Sequence, residues 1–446
     1  MGGNHIGSII ICVLVLFTFG VIYVTTKIVK SFVDNQGDIL NSPVSYSWTM
    51  RLSLNLLGYS TILLPGYIVY KYVRYSKYLQ RAGTGIIPKI VQKCFVGSGE
   101  SGILDSSTYV LQPTNSHIQR TFSHDAILLA YCFIGLQVSY LTWGYLQEKI
   151  MTQEYENDAG EKEHFKDSQF LVFVNRILAF TISGLYLLVT KQPQHTTPMY
   201  KYAFCSLSNI MSSWCQYEAL KYVSFPTQVL AKASRIIPVM IMGKIVSRNS
   251  YEYYEYITAL LISIGMTLFM LGSTERENDS ATTISGVLIL IGYMISDSFT
   301  SNWQNALFTE YGVTSIQMMC AVNMFSCLLT ATSLSQQSGF THSLYFIMKY
   351  PSFIVDLFLI SIFSASGQLF IFYTISKFGA VTFIIIMTIR QGLAILLSCV
   401  IYKHKITIFG VIGIFVVFGS IFLRIYCNNR LRAIRRRRAE SAAIKD

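Results

Sequence analysis

The sequence predicts an all-α polytopic membrane protein, and two observations support that fold class. Of the 446 residues, 52% are hydrophobic and only 13% are charged, which gives a mean hydropathy of +0.45. Apolar runs of about 20 residues, the length that a helix needs to cross a bilayer, recur along the chain. We therefore expect a unit of ten membrane helices after residue 125, preceded by one or two extra helices.

The N-terminal region, residues 1–81, contains two apolar runs, Ile9 to Val24 and Leu52 to Tyr70. The first run lacks the basic n-region and the small-residue cleavage site of a signal peptide, so we expect it to stay as a membrane helix. A Gly-, Ser- and Thr-rich stretch, residues 82–125, follows and is predicted to be a cytosolic linker.

Three glycines in that linker, Gly97, Gly99 and Gly102, have the GxGxxG spacing of a dinucleotide-binding loop. Such a loop follows a strand and opens a helix, and neither signal flanks these glycines. We therefore interpret them as part of a flexible linker.

The ten-helix unit is predicted from ten apolar runs separated by short polar turns. The runs are Ala126 to Leu146, Phe170 to Thr190, Tyr202 to Tyr222, Pro226 to Val246, Tyr256 to Leu271, Ile284 to Trp303, Ile316 to Leu334, Phe353 to Tyr373, Ala380 to Tyr402 and Ile408 to Tyr426. A basic tail, residues 427–446, follows the last run.

Two stretches of the unit are weakly similar. "LKYVSFPTQVLAKASRIIPVM" aligns with "SKFGAVTFIIIMTIRQGLAIL", so that Lys221 matches Lys377 and a very short turn is expected after each. This alignment predicts two five-helix repeats of opposite topology, residues 126–273 and 283–426, with a binding site at their interface.

Charge distribution predicts the orientation. Clusters of Lys and Arg follow the second early run and the last run, and the positive-inside rule places both in the cytosol, with the ends of the ten-helix unit. The loop 148–167 has seven acidic residues against three lysines, as expected on the lumenal side. Asn278 begins an N-glycosylation sequon in another lumenal loop. The net charge of +12 is therefore assigned to topology and anionic lipid, not to nucleic acid.

Cations in the middle of apolar runs carry the functional signal. Gln228, Lys232 and Arg235 share one helix face, and Arg390 with Gln391 occupies the corresponding place in the second repeat. Each buried cation costs about 2.5–3.5 kcal/mol on insertion scales, which a bound anion would offset. The alternative is pairing with membrane acids, for which Glu148, Glu218, Asp297 and Glu310 are the candidates. Lys244 and Arg176 are expected to snorkel to the interface.

Polar and aromatic side chains in the same runs could line the cavity or join helices. Those predicted to contact substrate are Gln368, Asn302 and Tyr145, in addition to Gln228, Gln391 and the cations. No catalytic motif and no metal-ligand spacing is found, so we expect no cofactor or metal, and a membrane enzyme or receptor is less favoured than a transporter. The oligomeric state, a homodimer included, is left open.

The segments "EALKYVSFPTQVLAKASRIIPVMIMGKIVSRNSYEYYEYITALLISIGMTLFML", "DSFTSNWQNALFTEYGVTSIQMMCAVNMFS" and "GQLFIFYTISKFGAVTFIIIMTIRQ" resemble the branch of the solute carrier 35 family that transports adenosine 3′-phospho-5′-phosphosulfate (PAPS). The resemblance implies a ten-helix drug/metabolite transporter fold in the Golgi membrane. It also implies PAPS import for lumenal sulfotransferases, in exchange for adenosine 3′,5′-bisphosphate. A nucleotide-sugar transporter is the alternative.

Related plastid phosphate translocators bind phosphate through a lysine in a "KA" dipeptide, which Lys232 and Ala233 match here. Their second site is a Lys-Arg pair, where this chain has Ile389 and Arg390. The resemblance thus implies phosphate binding by Lys232 and Arg390, and Arg235 could supply the cation that is missing from the pair.

Overall fold

The computed structural model describes residues 3–37, 48–81, 85–97, 122–157, 160–165, 167–190, 193, 195–223, 228, 236–246, 252–273, 284–401 and 408–443. The helices are α1 Gly3–Gly37, α2 Trp48–Tyr75, α3 Tyr78–Arg81, α4 Ile86–Phe95, α5 Phe122–Thr152, α6 Ser168–Val189, α7 Tyr200–Ala219, α8 Ile236–Val246, α9 Tyr253–Ser273, α10 Ile284–Tyr311, α11 Ser315–Gln336, α12 Gly339–Lys349, α13 Pro351–Ile401 and α14 Ile408–Ala443. The strands are β1 Glu154–Glu156 and β2 Lys162–His164.

Seven helical segments in the described ranges are long and apolar enough to cross a membrane. They are Gly7–Val29, Trp48–Tyr75, Ile127–Thr152, Ser168–Val189, Ile284–Tyr311, Ser315–Gln336 and Pro351–Thr374. The polytopic, all-helical fold class is thereby confirmed, because helices satisfy their backbone hydrogen bonds internally and can lie in lipid.

The chain divides into two compact units. Unit 1 comprises Met1–Glu218 and Gln304–Lys377, and unit 2 comprises Ala219–Trp303 and Phe378–Asp446. Both units contain residues from each of the two five-helix repeats that the sequence predicts, so the units are not the repeats. The organisation into two inverted repeats stays a prediction.

Two sequence-based expectations about elements were wrong. The turn expected after Lys377 is absent, because α13 continues from Pro351 to Ile401, and the stretch there contains no proline to stop it. A further short helix, α12, lies between the predicted seventh and eighth spans. The basic tail is largely helical, since α14 runs on to Ala443.

In unit 1 the N-terminal helix α2 packs closely on α11. Gly58 of α2 lies so near α11 that a Cβ atom there would be 2.7 Å from the Ser333 side chain. At the same contact Gln337 Nε2 donates to Asn55 Oδ1 at 2.8 Å. A small residue and a polar pair at one crossing are the usual way in which membrane helices associate without a hydrophobic driving force.

The loop between α5 and α6 is folded into a hairpin. Strands β1 and β2 pair antiparallel with Tyr155 opposite Glu163, and the Tyr155 ring packs edge-on against Phe353 at 5.2 Å. The Tyr155 hydroxyl donates to Asp356 Oδ2 at 2.9 Å, and Lys149 Nζ lies 2.8 Å from the same carboxylate. Burial first, and then the bond to Asp356, raise the pKa of Tyr155. The acidic loop is therefore fixed to the start of α13.

Helix α4 lies inside the stretch that was predicted to be a flexible linker, so that prediction was wrong for residues 86–95. Val91 packs with Ile11, Val69 and Tyr78 in a small apolar cluster. At the C-terminal end of α4, the Met199 N–H donates to the Lys93 carbonyl at 3.3 Å. The helix is thus attached on one side to α1–α3 and on the other to the α6–α7 loop.

Gly97 follows α4 with a positive φ of 77°, and an added Cβ atom would lie 2.3 Å from the Thr196 carbonyl oxygen. Its conformational freedom therefore serves close packing, not a nucleotide; Gly99 and Gly102 lie outside the described residues.

We expect Gly97→Ala to detach α4, because the backbone strain of about 1–2 kcal/mol adds to a contact that cannot relax easily. Hydrogen exchange of the α4 amides should speed up relative to the parent protein. Gly160→Ala is the matched control, since Gly160 has a φ of 79° with nothing within 4 Å. Equal exchange in the two variants would refute the packing role.

His195, in the α6–α7 loop, is a candidate for pH-dependent stability. Its Nε2 lies 3.0 Å from the Tyr202 hydroxyl oxygen. Burial first, and then the charge of Lys93, lower the pKa of His195 below its ordinary value. Because the folded state disfavours protonation, this stabilisation is present above the unfolded pKa of about 6.5 and is lost as the pH falls through the folded pKa.

We therefore expect the thermal midpoint of the parent protein to fall more between pH 7.5 and pH 5.5 than that of His195→Gln, which keeps a polar partner for Tyr202. Differential scanning fluorimetry of the purified proteins measures both falls. Identical pH profiles would show that His195 does not contribute.

Unit 2 contains a closely packed helix pair, α9 with α14. A Cβ atom at Gly265 would lie 2.9 Å from a Val417 methyl carbon and 3.0 Å from the Gly413 carbonyl oxygen. Buried Arg424 of α14 lies 3.8 Å from Glu255 of α9. The pair is thus joined by small residues in its middle and by an ion pair at one end.

Candidate functional site

The predicted substrate-binding cluster is only partly within the described residues. Lys232, Arg235 and the sequon residue Asn278 lie outside them, as does the side chain of Gln391. The roles assigned to these residues stay predictions.

Three members of the cluster are described in unit 2. Gln228 is fully buried, and Arg390 of α13 is half-buried. Asn302 of α10 is buried and donates through Nδ2 to the Val239 and Ser298 carbonyl oxygens, each at 2.9 Å. These bonds hold Asn302 in place against α8 and use both hydrogens of its Nδ2 atom.

Two members lie in unit 1. Gln368 of α13 is buried and accepts a hydrogen bond from Asn323 Nδ2 at 2.9 Å. This hydrogen bond joins α11 to α13. Joining helices was one of the two roles predicted for such residues, and lining the cavity was the other. Tyr145 of α5 is 60% exposed.

Two of the four acids considered as partners for the predicted cations are paired elsewhere. Glu218 is 1% exposed, lies 2.9 Å from Arg51 Nη1 of α2 and accepts from Ser168 Oγ at 2.9 Å. Glu310 is 3.2 Å from Lys201 Nζ. Both acids thus have a cation partner outside the predicted cluster.

Arg176 was expected to snorkel to the interface, and this expectation was wrong. It is 7% exposed and donates through Nη2 to Asn209 Oδ1 at 3.2 Å and to Ser213 Oγ, both on α7. As the ninth residue of α6 it lies about 12 Å along the helix axis from Ser168. The signal for burial was its place next to another polar residue, Asn175, well inside an apolar run.

Around Arg176 the polar side chains of unit 1 form a network between helices. Asn175 Nδ2 donates to the Tyr217 hydroxyl at 2.8 Å, and the Ser361 hydroxyl donates to Asn175 Oδ1 at 3.0 Å. Bonds of this kind fix the rotation of α6 relative to α7 and α13. Within the described residues, no group of three His, Cys, Asp or Glu side chains could hold a metal ion.

Membrane-spanning helices that bury arginine, glutamate and amide side chains are characteristic of polytopic transporters, in which such groups mark substrate pathways. The sequence profile of the UAA transporter family matches residues 128–428. The chain belongs to the UAA transporter family, and the prediction of a transporter in preference to an enzyme is confirmed.

Individual relatives are similar over most of the chain. Adenosine 3′-phospho 5′-phosphosulfate transporter 1 of Drosophila melanogaster is 49% identical over 97% of this chain and 96% of its own length. The human protein of the same name is 50% identical over 86% of this chain and 88% of its own. UDP-galactose/UDP-glucose transporter 5B of Arabidopsis thaliana is 37% identical over 66% of this chain and 87% of its own.

Proposed function

We propose that this protein imports PAPS from the cytosol into the Golgi lumen by alternating access, in exchange for adenosine 3′,5′-bisphosphate. The observation that carries the proposal is the 49% identity to a relative named for PAPS transport over 97% of the chain. The imported PAPS would supply lumenal sulfotransferases. In this arrangement both ends of the ten-helix unit face the cytosol.

The predicted cations suit such a substrate. PAPS carries a 3′-phosphate, a 5′-phosphate and a sulfate, and fixed cations must replace the water that these groups lose in the membrane. Arg235 and Arg390 can each bind an oxyanion through two N–H groups, and Lys232 acts as a point charge. Gln228, Gln391, Gln368 and Asn302 supply polar contacts, and Tyr145 an aromatic face for the base.

The test is uptake of radiolabelled PAPS into proteoliposomes that contain the purified protein. We expect saturable uptake that preloaded adenosine 3′,5′-bisphosphate stimulates and that UDP-sugars do not inhibit. Empty liposomes and liposomes preloaded with adenosine are the controls. Uptake that the preload does not change would remove the exchange mechanism but keep the substrate.

Transport of a nucleotide sugar is the second candidate, and the 37% identity to UDP-galactose/UDP-glucose transporter 5B supports it. That likeness covers 66% of the chain, against 97% for the relative named for PAPS. Uptake of UDP-galactose or UDP-glucose without uptake of PAPS would favour this candidate.

A further inference from the structure

Arg176 differs from the other buried charged groups of the described chain. Glu218 is paired with Arg51, Asp356 with Lys149, and Arg424 with Glu255. No described carboxylate lies within ion-pair distance of Arg176, and its Nε atom is buried without a hydrogen-bond partner. The ionisable side chains around it are those of Tyr140, Tyr217, Cys205 and Cys327, and none of these is a carboxylate.

The charge on Arg176 cannot be removed by losing a proton, because a guanidinium stays protonated in proteins. It also cannot reach the membrane surface, since its Nη2 atom is bonded to Asn209 and Ser213 on the neighbouring helix. A cation held inside an apolar region in this way is most simply explained by an anion that binds to it.

The hydrogen bonds around Arg176 leave donors available for such an anion. The Ser213 hydroxyl donates to the Asn209 carbonyl at 2.9 Å, so its oxygen is free to accept from Nη2. Asn209 accepts the second Nη2 hydrogen. The two N–H groups on Nη1 remain as charge-assisted donors to one phosphate or sulfate group, whereas the Nε–H points to the other side of the guanidinium.

We infer that Arg176 is an oxyanion-binding residue of unit 1, positioned by Asn209 and Ser213, and that it binds one phosphate or sulfate group of the transported nucleotide. This inference rests on the proposed function for the identity of the nucleotide. It adds a cation that the predicted substrate-binding cluster did not include.

The test compares three ligands that differ in one oxyanion. PAPS has all three groups, adenosine 5′-phosphosulfate lacks the 3′-phosphate, and adenosine 3′,5′-bisphosphate lacks the sulfate. Dissociation constants are measured on purified protein by isothermal titration. We expect Arg176→Met to weaken the ligands that carry the recognised group by about tenfold or more, and to leave the ligand without that group nearly unchanged.

Arg424→Met is the matched control, because Arg424 is also a buried arginine but is paired with Glu255. It should leave the ratios between the three ligands unchanged. If Arg176→Met fails to fold, Arg176→Lys keeps the charge but loses the planar guanidinium that Asn209 and Ser213 position, and should show a smaller change in the same ratio.

Equal weakening of all three ligands would assign Arg176 to the 5′-phosphate, which they share, and adenosine, which has no phosphate, should then bind the variant and the parent equally. Weakening of adenosine by the same factor, or no weakening of any ligand in a folded variant, would overturn the inference. If the parent protein binds UDP-glucose and not PAPS, the proposed function fails by itself. The Arg176 site is then tested by comparing the dissociation constants of UDP-glucose and uridine. Loss of the preference for UDP-glucose in Arg176→Met would support the site, and an unchanged preference would refute it.

Discussion

Lys232→Ala and Arg390→Ala should each reduce PAPS uptake into proteoliposomes by about 10- to 100-fold. Loss of one charge-assisted hydrogen bond to an oxyanion costs about 1.5–3 kcal/mol, and each 1.4 kcal/mol is a factor of ten. When a residue binds the substrate equally well throughout the transport cycle, its removal should mainly raise the substrate concentration that gives half-maximal uptake.

The controls for this prediction are two exposed lysines that lie at least 12 positions along the chain from Lys232 and Arg390. Lys377 is exposed on α13, which also carries Arg390, and Lys244 is exposed near the end of α8. Lys377→Ala and Lys244→Ala should transport at close to the parental rate. Parental uptake by the Lys232 or Arg390 variant would remove that residue from the site.

Glu218→Gln should destabilise the protein by about 3 kcal/mol, the lower end of the range for removing one partner of a buried ion pair. The lower end applies because the Arg51 side chain is 25% exposed, so that water can partly solvate its charge when the partner is lost. The Glu218 side chain is 1% exposed. The variant also weakens the acceptor of the Ser168 hydroxyl. The change is measured as a lower midpoint of unfolding in detergent.

Glu310→Gln is the control carboxylate, since Glu310 is 58% exposed in its pair with Lys201. It should change stability by no more than about 1 kcal/mol. The double variant Arg51→Met with Glu218→Gln should lose less stability than the two single changes together, because no uncompensated charge is left. Simple additivity would show that the pair is not coupled.

The attachment of the N-terminal helices follows from the same contacts. Arg51 and Glu218 are 167 positions apart, and Gly58 of α2 meets Ser333 of α11. These contacts place α2 in unit 1 as a packed part of the structure, not as an independent anchor. A variant that breaks them should therefore loosen α2 before it affects α9 and α14 in unit 2.

The predicted binding cluster shows how far hydropathy and charge can reach. Lys232, Arg235 and Arg390 stood out because a charge in an apolar run is costly, whatever surrounds it. The same cost applies to Arg176, but this residue is near the start of its apolar run, so its side chain was expected to reach the membrane interface. Only its contacts with Asn209 and Ser213 separated these two explanations.

Hydropathy was sufficient for the class of protein and for most membrane helices, because bilayer thickness fixes helix length and each helix satisfies its own backbone. It was not sufficient for the docking of α4 beside Gly97, the hairpin held by Asp356 or the partner of Glu218. Each of these depends on groups that are distant in sequence, and a desolvated charge or close-packed glycine is recognised only when its spatial neighbours are known.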